Sequence, residues 1–213
     1  MTDELLDALA RDVAPRKARR VGSRLTMAIV AGALVSLVGV LSLLGPRTDF
    51  PAALGSPMFW TKLFYGLTLA AVALGCVERL ARPGGETRRR VEWLAAPIAV
   101  MAIGALIQWM VAPETAHRTL LMGDSASVCP WLISAAAAPI FVALAWAIRG
   151  LAPTRLRAAG AMAGLAAGAA GSAVYALHCQ EAGGAFVLVW YSLGVVAPAV
   201  VGGLLGPMLL RWR

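Results

Sequence analysis

Six apolar stretches, residues 24–44, 59–80, 91–112, 129–148, 156–177 and 185–210, take up most of this chain, and polar loops separate them. A helix needs roughly 20 apolar residues to cross the hydrocarbon core of a bilayer, and every one of these stretches reaches that length. The expected fold is therefore all-α: a polytopic membrane protein with six transmembrane helices. The basic residues then orient it. Six Lys and Arg fall in 11–24, five in 79–90, three in 149–157 and two at Arg211 and Arg213, sixteen in all, against Arg47, Lys62 and Arg118 on the other side. By the positive-inside rule the sixteen face the cytoplasm, which places both termini there.

The composition, 60% hydrophobic and 14% charged, fits a chain solvated largely by lipid. Two regions are expected: a cytoplasmic leader, 1–23, and a six-helix membrane domain, 24–213. The leader is too short for a core of its own, and the first apolar run is too long and starts too late to be a cleavable signal peptide. The net charge of +8 sits mainly in the loops. It argues for contact with anionic headgroups of the bilayer, worth on the order of 1 kcal/mol per residue, and not for direct nucleic-acid binding.

Gly160, Gly164, Gly168 and Gly171 stack small residues along one face of the fifth stretch, with Gly202, Gly203 and Gly206 as a partner surface in the sixth. Such faces let helix backbones approach closely. The same spacing is compatible with a homodimer seam. Pro97, Pro139 and Pro198 are expected to kink their helices, and Trp60, Trp93, Trp131, Trp190 and Trp212 read as interfacial anchors. No ionisable residue lies in the middle third of any stretch, and Gln108 is the most polar side chain within them. Ion relays and membrane haem need such groups, so a transporter or an electron carrier is disfavoured.

Two segments carry chemistry. In the leader, Leu5, Leu6, Leu9 and Val13 recur at helical spacing among Asp3, Glu4, Asp7 and Asp12. Residues 1–13 carry one Arg against four acids, a charge of −3, so anionic lipid would repel this helix and its stripe needs another partner. A groove on a cytoplasmic protein would serve; a leader that is disordered or docked on its own chain is the alternative. On the outer side Cys129 opens the fourth stretch and Cys179 follows the fifth, with His178 beside it and Glu181 two residues on. Thiols on an extracytoplasmic face can form a structural or reversible disulfide, bind a soft metal with His178 and Glu181 as auxiliary ligands, or present a reactive thiolate. Cys76 reads as a packing residue and His117 as a loop residue.

The leader run from Leu5 to Pro15, the segment from Gly123 to Pro130, Leu151 to Thr154, and Tyr175-Ala-Leu-His178-Cys179-Gln-Glu181 resemble the NrsF family of bacterial anti-sigma factors. Phe186, the run from Trp190 to Gly194 and the terminal Leu210-Arg211-Trp212 carry the resemblance to the end of the chain. It implies a multi-pass protein of the bacterial inner membrane that is not an enzyme and that holds an extracytoplasmic-function sigma factor inactive. It further implies that Cys129 and Cys179 sense heavy metal or oxidant, with no permanent cofactor and at most a transient heavy-metal ion at the pair. Leu5, Leu6, Leu9 and Val13 become the expected sigma-binding positions. The competing expectations are a membrane thiol-disulfide redox protein and a small metal or solute transporter.

Overall fold

A computed structural model describes residues 21–82, 84–151 and 153–211, and regular structure among them is helical throughout. Leu5, Leu6, Leu9 and Val13 lie outside the described residues. Six helices are long and apolar enough to cross a membrane: α1 (Val21–Leu43), α2 (Pro57–Leu80), α3 (Arg88–Val111), α4 (Cys129–Arg149), α5 (Leu156–Tyr175) and α6 (Gly184–Leu209). Every expected boundary agrees within three residues. At the start of α3 the difference arises because the Thr87 carbonyl accepts the Arg90 and Val91 N–H groups (2.8 and 2.9 Å), drawing the arginine run into a first helical turn.

Local sequence sets the ends. Gly45, at φ +79°, turns the chain out of α1, and Pro57 opens α2 after an extended Ser56, where its missing N–H costs nothing. Pro113 follows α3 and begins a short helix, Glu114–Met122. α4 continues through Pro139, and α6 through Pro198 and Pro207.

α5 is the axis of the bundle. Of its most apolar 18 residues 72% are buried, against 11% for α3 at the periphery. It packs on α6, α2 and α4, and α1 packs chiefly on α4. Glycine permits this. A Cβ on Gly160, Gly164 or Gly168 would run into the α6 backbone at Gly202, Pro198 or Val195, and one on Gly171 would stand 2.9 Å from the Ala137 nitrogen of α4. The glycine face thus serves packing within the chain. Helices in lipid gain nothing from hiding apolar surface from one another, so this contact of backbones is what holds them.

The outer surface of the bundle is apolar in turn. Val30, Leu34 and Val38 of α1, Val100, Ile103 and Ile107 of α3, and Val200, Leu204 and Met208 of α6 all face outward. Water would not tolerate stripes of this extent; the acyl chains of a bilayer solvate them, and the molecule is a membrane protein. Cys129 and Cys179 mark one end of the bundle, and the arginines of residues 79–90 and 149–157 mark the other.

Candidate functional site

Beyond Tyr175 the α5 backbone tightens for one more turn, with N–H bonds from Leu177 to Val174 O (3.1 Å) and from His178 and Cys179 to Tyr175 O (2.9 and 3.0 Å). The carbonyls that follow have no helical partner and must find one elsewhere. The other elements supply it. After α1, the Arg47 N–H donates to Leu177 O (3.2 Å), His178 Nδ1 lies 2.9 Å from Gly45 O, and Gln180 Nε2 donates to Thr48 Oγ1 (2.9 Å). From α2, Lys62 Nζ donates to Cys179 O (2.9 Å) and Glu181 O (2.7 Å). From α3, Gln108 Nε2 donates to Ala182 O (3.2 Å), while its Oε1 accepts the Gly184 N–H (2.6 Å).

The loop before α4 is tied to the same segment by charge. Glu181 Oε1 accepts the N–H groups of Asp124 (2.8 Å) and Ser125 (3.1 Å) and the Ser125 hydroxyl (2.9 Å). Gly123 is needed here twice over: its φ is +49°, and a Cβ would collide with the Glu181 carboxylate. The Ser125 carbonyl then accepts the Cys129 N–H (2.8 Å), so Glu181 also fixes where α4 begins. Segment 177–184 is the joint at which α1, α2, α3 and the start of α4 meet α5 and α6.

Cys129 is fully buried, Cys179 is 4% exposed, and both belong to one cluster with Tyr175, Phe186 and Tyr191. They are separate thiols in the structure. A cleft of about 390 Å³ opens beside them, walled by Asp124, Ser125, Tyr175, His178, Cys179, Gln180 and Glu181. Cys129 is not part of that wall and has no exposed surface.

Tyr191 closes a π-helical turn, Val187–Tyr191, near the start of α6. Its hydroxyl is buried with no oxygen or nitrogen partner, and what it faces is the Cys179 thiol, a weak hydrogen-bonding group. The Lys62 ammonium stands 5.8 Å from the centre of its ring. Lys62 itself is 1% exposed, and the ion pairs among the described residues, Arg47 with Asp49 and Arg82 with Glu78, leave it without a carboxylate. An ammonium buried in this way costs several kcal/mol, offset here by two carbonyls and a ring face.

Arg47 sits nearby over the Phe59 ring, 5.8 Å from its centre, and grips Asp49 through Nε and Nη2 (2.7 and 2.8 Å). Those hydrogen bonds hold the Asp49 carboxyl below the usual carboxylate range and push the Arg47 guanidinium up.

The structure thus brings Cys129, Cys179, His178 and Glu181 to one end, as the sequence leads one to expect. Among the described residues no three His, Cys, Asp or Glu side chains gather as a metal-holding group. The Nδ1–H of His178 bound to a carbonyl is the arrangement that metal-ligating histidines commonly use, whereas Glu181 Oε1 is engaged by three donors. Cys76 is buried within α2, and His117 lies not in a loop but in the short helix Glu114–Met122, stacked on Trp109 with ring centres 4.2 Å apart. Sequence reasoning missed Lys62, counted there as a charge of the outer side, because a lysine near the end of an apolar run reads as one reaching for the headgroups. It also gave no role to Tyr191.

Residues 9–212 match the NrsF family, described as negative regulator of sigma F. The chain belongs to that family. It is 39% identical to the probable anti-sigma-F factor NrsF of Azospira oryzae over 218 residues and 38% identical to the anti-sigma-F factor NrsF of Caulobacter vibrioides over 214, covering 99% of each chain in both cases. No solved structure matches this NrsF chain.

Proposed function

We propose that this NrsF-family protein is a membrane-bound anti-sigma factor that sequesters an extracytoplasmic-function sigma factor and releases it when Cys129 and Cys179 react with an oxidant or a heavy-metal ion. Likeness along the full length to two anti-sigma-F factors supports the regulatory role. The observation that carries the sensing role is the position of Cys179: its own carbonyl is held by Lys62 of α2, in a segment that α1, α3 and the start of α4 also grip. A bond formed at its sulfur strains contacts to several helices at once. Lys62 donates to backbone carbonyls, which favours a structural tie over a transport path.

In this reading the cysteine end faces the periplasm of the inner membrane, and the arginine-rich loops and both termini face the cytoplasm. The leader stripe Leu5, Leu6, Leu9 and Val13 holds the sigma factor. The stimulus must favour the releasing arrangement by about 5.5 kcal/mol to carry a 1:99 balance to 99:1, a scale that disulfide formation or thiolate–metal binding reaches. A transcriptional reporter of the cognate sigma factor tests the proposal: Cys129→Ser and Cys179→Ser abolish its response to oxidant and metal, and Leu6→Asp with Leu9→Asp abolishes sigma-factor capture. A normal response without both sulfurs overturns the sensing role, and undiminished capture by the leader variant overturns the binding role.

A further inference from the structure

A buried hydroxyl without an oxygen or nitrogen partner is costly, and that of Tyr191 has only the Cys179 thiol beside it at the close of a π turn, an irregularity that often marks a functional position. Next to it, Lys62 has three N–H donors and spends two, on Cys179 O and Glu181 O. Tyr191 therefore faces a thiol that offers it little to bind, and Lys62, held on the carbonyl of that same cysteine, keeps one N–H to spare. The two sulfurs also differ in access. Cys179 borders the cleft, and Cys129 is absent from its lining and has no exposed surface.

We propose that Cys179 reacts first, with a two-electron oxidant of the form HO–X (a hydroperoxide or a hypohalous acid), that Tyr191 and Lys62 are positioning residues for the oxygen it acquires, and that Cys129 is the resolving thiol. The proposal rests on the redox reading of this cysteine pair given above. With a hydroperoxide the Cys179 sulfur attacks the oxygen, the S–O bond forms, the O–X bond breaks and the thiol proton leaves with X as HX; with a hypohalous acid it attacks the halogen, the hydroxyl leaves as water with the thiol proton, and water then displaces the halide from the sulfenyl halide as HX. Sulfur has then lost two electrons to the oxidant. The new oxygen lies where the Tyr191 O–H and the third Lys62 N–H can donate to it. The Cys129 thiol next attacks the Cys179 sulfur, the S–S bond forms as the S–O bond breaks, and the oxygen leaves as water with the Cys129 proton. In sum, two thiols and HO–X give a disulfide, water and HX.

The test uses the full chain in lipid nanodiscs, exposed to hydrogen peroxide in one arm and hypochlorous acid in the other. After quenching, dimedone traps sulfenic acid, and mass spectrometry places the adduct. Cys129→Ser is expected to give the adduct at Cys179 in at least one arm, and that arm identifies X; Cys179→Ser is expected to give at least tenfold less at Cys129. In the Cys129→Ser background, Tyr191→Phe keeps the ring and shortens the lifetime of the Cys179 sulfenic acid about tenfold, the worth of one hydrogen bond. Alkylation of unoxidised Cys179 by iodoacetamide stays unchanged, and Lys62→Arg, which keeps a donor, retains the long lifetime. The proposal is overturned by an absence of adduct at Cys179 in both arms, by equal trapping at Cys129, or by an unchanged lifetime in Tyr191→Phe. Ordering and sensing fail separately. Equal trapping alongside a reporter that needs both cysteines refutes only the ordering, whereas a reporter indifferent to both refutes only the sensing role.

Discussion

Replacing Glu181 with alanine removes three contacts in one step, the Asp124 N–H (2.8 Å), the Ser125 N–H (3.1 Å) and the Ser125 hydroxyl (2.9 Å). A neutral hydrogen bond contributes about 1 kcal/mol net, and an ionised acceptor about doubles that. Three such bonds would sum to about 6 kcal/mol, but all three share the single oxygen Oε1 at the edge of an open cleft. The expected loss is therefore about 2–3 kcal/mol, a factor of roughly 30–150 in the local opening equilibrium. Glu181→Gln keeps an uncharged acceptor and should lose about half as much, roughly fivefold to tenfold. Hydrogen exchange on the protein in nanodiscs reads this directly, as faster exchange at the Asp124 and Ser125 amides with the interior of α5 unaffected. Because Ser125 O takes the Cys129 N–H (2.8 Å), the start of α4 should loosen as well. Exchange at residues 124 and 125 that stays within about threefold of the parent protein in Glu181→Ala would refute the idea that this carboxylate organises the loop.

Gly160→Ala drives a methyl group into the Gly202 carbonyl of α6 and should cost about 1–3 kcal/mol. Gly39→Ala and Gly104→Ala, which meet open space, should cost nothing; unfolding of the three variants in detergent compares them, and equal midpoints would count against backbone contact as the α5–α6 adhesive. Asp49 has its folded value depressed, chiefly by hydrogen bonding to Arg47, so the stability of this pair is fully present above the ordinary aspartate value and is lost as pH falls through the lower folded one. Exchange at the Arg47 amide, corrected for its intrinsic rate, should hold level from neutral pH down to about 4 and rise only below that; loosening already between pH 5 and 7 would contradict the pairing.

The spans were readable in the sequence because lipid imposes one simple demand, a long apolar run, and the six runs meet it. Cys129 and Cys179 could be placed together because an alternating chain returns residues 129 and 179 to the same end. The glycines of α5 were readable for a related reason: with so little side chain along Gly160, Gly164 and Gly168, only another backbone fills the space. What joins the site could not be read. Lys62, Gln108 and Glu181 bind main-chain carbonyls and amides of Cys179, Ala182, Gly184, Asp124 and Ser125, groups common to nearly every residue and therefore silent in a sequence. Lys62 was harder still, since four residues into an apolar run it looks like any lysine reaching for the headgroups. Tyr191 escaped notice because the turn that aims it is not α-helical.

That turn limits how the chain can change. Between Val187 and Tyr191 the helix holds one residue more than regular winding would need. Deleting any one of them would restore a regular helix and swing everything on one side through roughly 100° relative to the other, the rotation that a single residue contributes. Tyr191 against Lys62 and Val195 against Gly168 lie at or beyond the turn, whereas Gly184 on Gln108 lies before it, and no single rotation preserves both registers. Side chains of similar bulk can be exchanged along this stretch, but its residue count is fixed.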